Sequence, residues 1–293
     1  MSLPPEALAT FTRLRPRLSR IAYRMLGSQA EAEDMVQEAW LRWAGVDHAG
    51  VMDGDAYLVR LVSRLCLDQM RSARARHETY IGPWLPEPII DPDDSLEQGE
   101  EVTMALMLAL ERLSPLERAA FLLHDVFGQP FEAVAAALDR DEAACRQLAS
   151  RARTHVRAAR PRFPVTPDRG REIADAFLAA AHNGDLSGLR GLLAADVVLY
   201  ADGGGKRIAV MNPVLTQDKV ARFFTGLARK HDHVMPPVLW RGLIDGLPGY
   251  VTLASDGEVQ STALVIDGDR IVAVYITRNP DKLRHLVGLA GNA

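Results

Sequence analysis

The sequence predicts a multidomain chain, with two all-α domains followed by an α+β domain built on a curved antiparallel sheet. Helical hydrophobic spacing runs through residues 5–80 and again through about 102–160, and no strand signal interrupts either block. Two breaks divide the chain. Residues 81–101 hold four prolines and an acidic run without lysine or arginine, and residues 161–168 hold three prolines in eight. After the second break the pattern changes to short strand-like segments separated by turns such as SDGE and DGD. A chain of 293 residues that is 48% hydrophobic can bury a sizeable core, which suits about two domains or three small ones.

In the first block Leu14, Leu18, Ile21, Ala22 and Met25 form one helical stripe. The next helix, AEAEDMVQEAWLRWA, sets Asp34, Gln37, Glu38 and Arg42 on one polar face beside an inward stripe of Met35, Val36, Ala39 and Trp40. A solvated surface helix would read the same way. From Tyr57 to Arg76 a third helix turns Leu58, Leu61, Val62 and Leu65 inward and Arg60, Arg64, Arg71 and Arg74 outward, with Asp68 breaking the charge run.

The linker carries Trp84 and Leu85, large apolar groups that it cannot bury by itself, so they need a docking surface. Beyond it, Phe131, Val134, Ala135 and Leu138 make a short scaffold helix. Asp139 and Arg140 interrupt it, and Asp141 can cap a second helix. That helix turns Cys145, Leu148, Ala149, Ala152 and Val156 inward and Arg146, Ser150, Arg153 and Arg157 outward. The pair is a helix-turn-helix. From Arg140 to Arg162 there are seven arginines and two acids, although the whole chain has a formal net charge of -4. Positive charge so concentrated suits DNA, whereas the acidic balance elsewhere predicts weak duplex binding by the protein alone.

The third block begins with helices over residues 169–183 and 186–193, followed by the strand-like segments VVLYAD, MPPVLWRGL, YVTLASD, STALVIDGD and RIVAVYITR. Helices wrapped by such a sheet often enclose a pocket, so a small-molecule ligand is a possible partner. No apolar run approaches the ~20 residues of a membrane span, and the first residues lack the apolar core of a signal peptide, so the expected location is the cytoplasm. Cys66 and Cys145 each sit in an apolar stripe and read as core residues, with no disulfide or zinc pattern. GGGK at 203–206 lacks the spacing of a phosphate loop, and its glycines suit a tight turn. HDH at 231–233 would place two histidines on one strand face, yet it reads better as a polar turn than as a metal site.

AEDMVQEAWLRWA followed by YLVRLVSRLCLDQMRSARA resembles region 2 of extracytoplasmic-function (ECF) RNA polymerase sigma factors, and the helix-turn-helix resembles their region 4. GPWLPEP at 82–88, ADGGGK at 201–206 and NPDKL at 279–283 resemble the members with a SnoaL-like C-terminal extension. The resemblance implies a sigma factor that binds core RNA polymerase and directs promoter-specific initiation as a monomer when free, with no cofactor. Asp34, Gln37, Glu38 and Arg42 would meet the clamp helices of the β′ subunit, and region 4 the flap of the β subunit. Arg60, Arg64, Arg71 and Arg74 would face the −10 element of promoter DNA, and Arg146, Ser150, Arg151 and Arg153 the −35 element. The family flips a promoter base into the loop matching residues 45–54, but GVDHAGVMDG has no aromatic residue to hold it. Asp139 stands where many members have glycine.

The domains expected are region 2 at 5–80, the linker at 81–101, region 4 at 102–162 and the SnoaL-like domain at 169–293. That last domain would regulate in cis, its segment Asp202, Gly203, Gly204, Gly205 and Lys206 and its segment Asn279, Pro280, Asp281, Lys282 and Leu283 holding Trp84, Leu85, Pro86, Glu87 and Pro88 of the linker. SnoaL-like folds also include cyclases and isomerases. Asp196, Asp202, Asp245 and His182 are the candidate acids and bases here, but none forms a clear pair, and Asp202 reads as a turn former. A ligand-responsive repressor and a DNA-tethered enzyme are the alternatives. The region 2 resemblance favours neither.

Overall fold

A computed structural model of the chain describes residues 4–77, 80–90, 103–157 and 165–292. Residues 91–101 of the linker, the region 4 boundaries expected near 102 and 162, the first half of the second proline-rich break and the Arg74 side chain lie outside the described residues. The chain forms two compact units. One holds the helices before residue 79 together with the chain from Leu106 to the end of the helix-turn-helix, and the other holds the described linker residues, 103–105 and everything from 165 onward.

In the first unit α1 spans Pro5–Leu26, α2 Gln29–Ala44 and α3 Gly54–His77. α1 stops at Gly27, whose backbone is left-handed at φ 71° and whose N–H closes onto Tyr23 O. Ser28 then caps α2 by accepting from Glu31 N. The stripe expected on α2 is shifted. Ala32, Val36, Ala39 and Trp43 are its buried row, while Met35 and Trp40 flank it half-buried. Trp43 can go inside because its Nε1–H donates to Ala7 O at 2.9 Å, and the half-buried Trp40 packs tilted against Phe11 with ring centroids 4.8 Å apart.

Region 4 is formed by α4 (Met104–Glu111), α5 (Pro115–Phe121), α6 (Phe131–Leu138) and α7 (Glu142–Arg157), with one π-helical turn at Leu122–Val126. Ser114 and Glu117 close a reciprocal capping box at the start of α5. Asp139 is left-handed at φ 54° and ends α6, and Asp141 Oδ1 accepts from Ala144 N at 2.7 Å to start α7, so the turn forms without glycine. Cys145, Ala149, Ala152 and Val156 are buried as expected, and so is Cys66, whose thiol burial pushes up. The two helical blocks pack within this one unit. Arg118, 5% exposed, donates to Leu110 O and to Met25 O and pairs with Glu111 at 2.6 Å, which satisfies a buried guanidinium.

The second unit begins its C-terminal part with α8 (Pro167–Asn183) and α9 (Leu186–Leu192), and its six strands are β1 (Leu193–Asp202), β2 (Val214–Leu215), β3 (Val238–Ile244), β4 (Leu247–Leu253), β5 (Val259–Asp267) and β6 (Arg270–Thr277). They lie in the order β2-β1-β6-β5-β4-β3. One pairing departs from the antiparallel sheet expected: β1 runs parallel to β6, with Leu199 beside Val274 and Ala201 beside Ile276. A hairpin cannot make that pair. It becomes possible because α10 (Gln217–Lys230) and the meander β3 to β6 intervene before the chain returns to β1. α10 itself was not expected, although Val220, Ala221, Phe224 and Ala228 form its buried row. Phe177, Phe224, Val197, Leu199, Leu264 and Val274 share the core between helices and sheet. The HDH segment is not on a strand: it turns the chain after α10, with Asp232 and His233 both at positive φ. Among the described residues no group of three potential metal ligands occurs, and no helix is long and apolar enough to cross a membrane.

Candidate nucleic-acid interface and linker seat

Asp34, Gln37 and Arg42 are exposed along α2, with Glu38 half-buried and held to Arg42 at 2.7 Å. Leu41 belongs to the same face by spacing and is 60% exposed, so the polar row carries an exposed apolar residue that the stripe did not suggest. On α3 Arg60, Arg64 and Arg71 are exposed, Arg60 lying over the Tyr57 ring and Arg71 pairing with Asp68. Arg64 has a further commitment. It donates to Ala136 O at 3.1 Å and Ala137 O at 3.3 Å, the last carbonyls of α6, where a cation suits the negative end of a helix. The loop before α3 leaves Met52 fully exposed, and His48 packs edge-on against Trp43.

On α7 each arginine of the −35 set has an acidic neighbour. Arg146 pairs with Glu142 at 2.6 Å, Arg153 with Asp125 at 2.6 Å, and Arg151 lies 3.7 Å from Glu117. Ser150 is exposed between them. Burial alone would raise the Glu117 carboxyl, but hydrogen bonds from Ser114 and the charge of Arg151 hold it below its usual range.

The linker is seated in the second unit by charged groups that are themselves buried. Asp202, wholly buried at the end of β1, accepts from Tyr80 Oη–H at 2.6 Å, Leu85 N at 2.9 Å, Gly204 N at 3.0 Å and Lys282 Nζ at 2.7 Å. It is therefore the hub of the seat and not only a turn former. Lys282 also donates to Leu85 O and places its ammonium 4.2 Å from the Trp84 ring centroid and 4.9 Å from that of Tyr80. Burial pushes the Tyr80 phenol up and the neighbouring Asp202 carboxylate adds to this, so the hydroxyl keeps its proton and donates. Asn279 Nδ2 donates to the same oxygen at 2.8 Å.

Leu85, Pro86, Glu87 and Pro88 are buried and Trp84 is half-buried. The glycines after Asp202 permit this approach: Gly204 is at φ 60°, and a Cβ there would lie 2.3 Å from the Asn279 amide, while one on Gly203 would lie 2.2 Å from Arg207 O. Lys206 pairs with Asp281 at the rim, Pro280 begins the short helical turn containing Asp281 and Lys282, and Leu283 is buried behind it. Hydrogen bonds from Lys206 and Arg284 hold the Asp281 carboxyl below its usual range.

Two anchors were invisible in the motifs. Tyr80 precedes them, and Asp245 was weighed only as an acid or base. Asp245, left-handed at φ 45° in the turn between β3 and β4, accepts from Ile89 N through Oδ2, donates its N–H to Ile89 O and accepts from Met104 N through its carbonyl. His285 contacts Pro88 O at 2.7 Å. The remaining acid and base candidates stand apart, Asp196 exposed on β1 and His182 bonded to Leu178 O.

A helix with a polar outer row, an arginine-faced helix packed against it and a helix-turn-helix in the same unit are the arrangement expected of a promoter-recognition subunit of RNA polymerase. Residues 10–76 match the sigma-70 region 2 family and residues 103–156 the sigma-70 region 4 family. The chain is 39% identical to the ECF RNA polymerase sigma factor SigJ of Mycobacterium tuberculosis across 94% of this chain and 92% of that protein. It is 31% identical to SigI of the same species, named a probable ECF RNA polymerase sigma factor, with 97% of each covered. The crystal structure of M. tuberculosis SigJ superposes with a TM-score of 0.78 at 37% identity, covering 94% of this chain and 98% of that one. The chain belongs to the ECF RNA polymerase sigma factors, and it acts in promoter-specific transcription initiation with core RNA polymerase and promoter DNA as partners.

Proposed function

We propose that the α2 face of Asp34, Gln37, Glu38 and Arg42, with Leu41 as its apolar centre, docks on the β′ clamp helices, and that region 4 engages the β flap. Arg60, Arg64, Arg71 and Arg74 then neutralise phosphates at the −10 element, and Arg146, Ser150, Arg151 and Arg153 meet the −35 element. For Arg64 this exchanges two helix carbonyls for phosphate. The C-terminal domain regulates by seating the linker, and the domains divide at 5–80, 81–101, 102–162 and 169–293. No catalytic step is assigned to it, because Asp202 and Asp245 are engaged by linker residues.

The observation that carries the regulatory reading is the buried Asp202–Lys282 pair, which grips Leu85 through both its N–H and its carbonyl. An ion pair with these linker bonds holds the segment better than prolines alone could. Promoter-directed transcription with purified core polymerase tests it. Tyr80→Phe and Trp84→Ala each loosen the seat, and each changes transcript yield severalfold while polymerase binding is retained. Unchanged yield from both folded variants would sink the regulatory reading but leave the sigma-factor assignment intact.

A further inference from the structure

We propose that Phe131 and His124 position Arg146 to read a base edge in the −35 element, which rests on the assignment of Arg146 to DNA made above. Arg146 is exposed and has many rotamers, yet base discrimination requires its guanidinium to arrive in one orientation. Two contacts restrict it. Glu142, one turn earlier on α7, takes Nη2 at 2.6 Å, and the Phe131 ring at the start of α6 lies beneath the guanidinium, 4.7 Å from centroid to Cζ. The second contact comes from a different helix, so it fixes the arginine against the scaffold and not only along its own helix.

Phe131 is itself held. The His124 imidazole stacks on it at 3.8 Å between centroids and 25° between planes, so the ring over which the guanidinium lies is tied to the preceding turn. Gln129 O, an acceptor only, lies 2.8 Å from His124 Nδ1, so that nitrogen carries the proton and the ring cannot turn without losing the bond. Gln129 N in turn donates to Leu123 O at 2.8 Å. Both His124 and Asp125 belong to the π-helical turn Leu122–Val126, and Asp125 pairs with Arg153. Arg146 and Arg153 are seven residues apart and share one face of α7. Continuing α5 regularly would displace the pair of side chains that the wider turn presents to them. The turn is thus a positioning element for two of the arginines on the DNA face.

The test uses the full chain bound to core polymerase and promoter duplexes that are cognate or substituted at single −35 positions. Arg146→Ala lowers discrimination at one or two of those positions. Phe131→Leu keeps an apolar side chain at this half-buried site but removes the ring face. It lowers discrimination at the same positions by about two- to fivefold, the worth of one exposed cation–π contact, and leaves binding to the substituted duplexes unchanged. Phe131→Tyr restores it. If Arg146→Ala reduces discrimination and Phe131→Leu does not, the positioning role is wrong. Equal weakening on every duplex with Phe131→Leu overturns it too, since that is a purely structural effect. Unaltered discrimination in Arg146→Ala instead removes the base-reading assignment on which the proposal stands.

Discussion

The α7 face and the linker seat both depend on charge, but they treat it oppositely. On α7 the Arg146–Glu142 pair is exposed on both sides, where solvent screening leaves an ion pair worth about 0–1 kcal/mol, so its arginine can turn to a DNA partner at little cost. At the seat Asp202 and Lys282 are buried, and each answers the other together with backbone groups of the linker. Buried partners cannot separate without leaving a desolvated charge behind. Exposed charge equips a surface for an outside partner, while buried charge commits a segment to its own chain.

Breaking the buried pair is the most severe way to probe this contrast. Asp202→Ala leaves Lys282 inside without its counter-ion and is expected to destabilise the C-terminal unit by about 3–5 kcal/mol, measured as a lowered midpoint in denaturant unfolding. A value near that of an exposed pair would erase the distinction between the two regions. Gly204→Ala asks whether the close approach itself matters, since it strains a φ of 60° and drives a methyl into the Asn279 amide. A loss of roughly 1–3 kcal/mol is expected there, and the proton signals of Tyr80 and Asn279 should shift with it. On the other side of the comparison, Glu38→Ala removes the partner of Arg42, a glutamate side chain that is 41% exposed. Stability should change by only about 0.3–0.5 kcal/mol, whereas affinity for core polymerase falls measurably in a binding titration.

The smallest effect expected is that of acid at the rim of the seat. Because the folded-state pKa of Asp281 is depressed, its contribution is present above the unfolded carboxylate range of about 3.9 and is lost as pH falls through the lower folded value. Asp281→Asn should flatten that part of the acid unfolding profile. A profile identical to that of the parent chain would mean that Lys206 and Asp281 add nothing to the seat.

Much of the molecule was legible because it repeats locally. The i, i+3, i+4 rows of α2, α3 and α7 place their arginines and acids on the outer faces, and Asp139 and Asp141 mark the turn between α6 and α7 at the residues that make it. Trp40 was placed in the inward stripe of α2 where Trp43 is the buried one, because the burial of Trp43 depends on a carbonyl 36 positions away. α10, Gln217–Lys230, escaped notice although its stripe is regular. In the linker seat, WLPEP, DGGGK and NPDKL were identifiable as segments, but Tyr80 and Asp245 were not identifiable as their partners.

By itself, then, the sequence determined the helices of the first unit, the arginine-bearing faces of α3 and α7 and the order of a two-part promoter reader, since helical spacing and capping act within a few residues. Only the tertiary structure decided that β1 pairs in parallel with β6, that Arg64 caps α6, and that Asp202 is a buried hub as well as a turn former. Each of those depends on groups far apart in the chain, and the energy of a hydrogen bond or ion pair is set by the burial and partners that folding supplies.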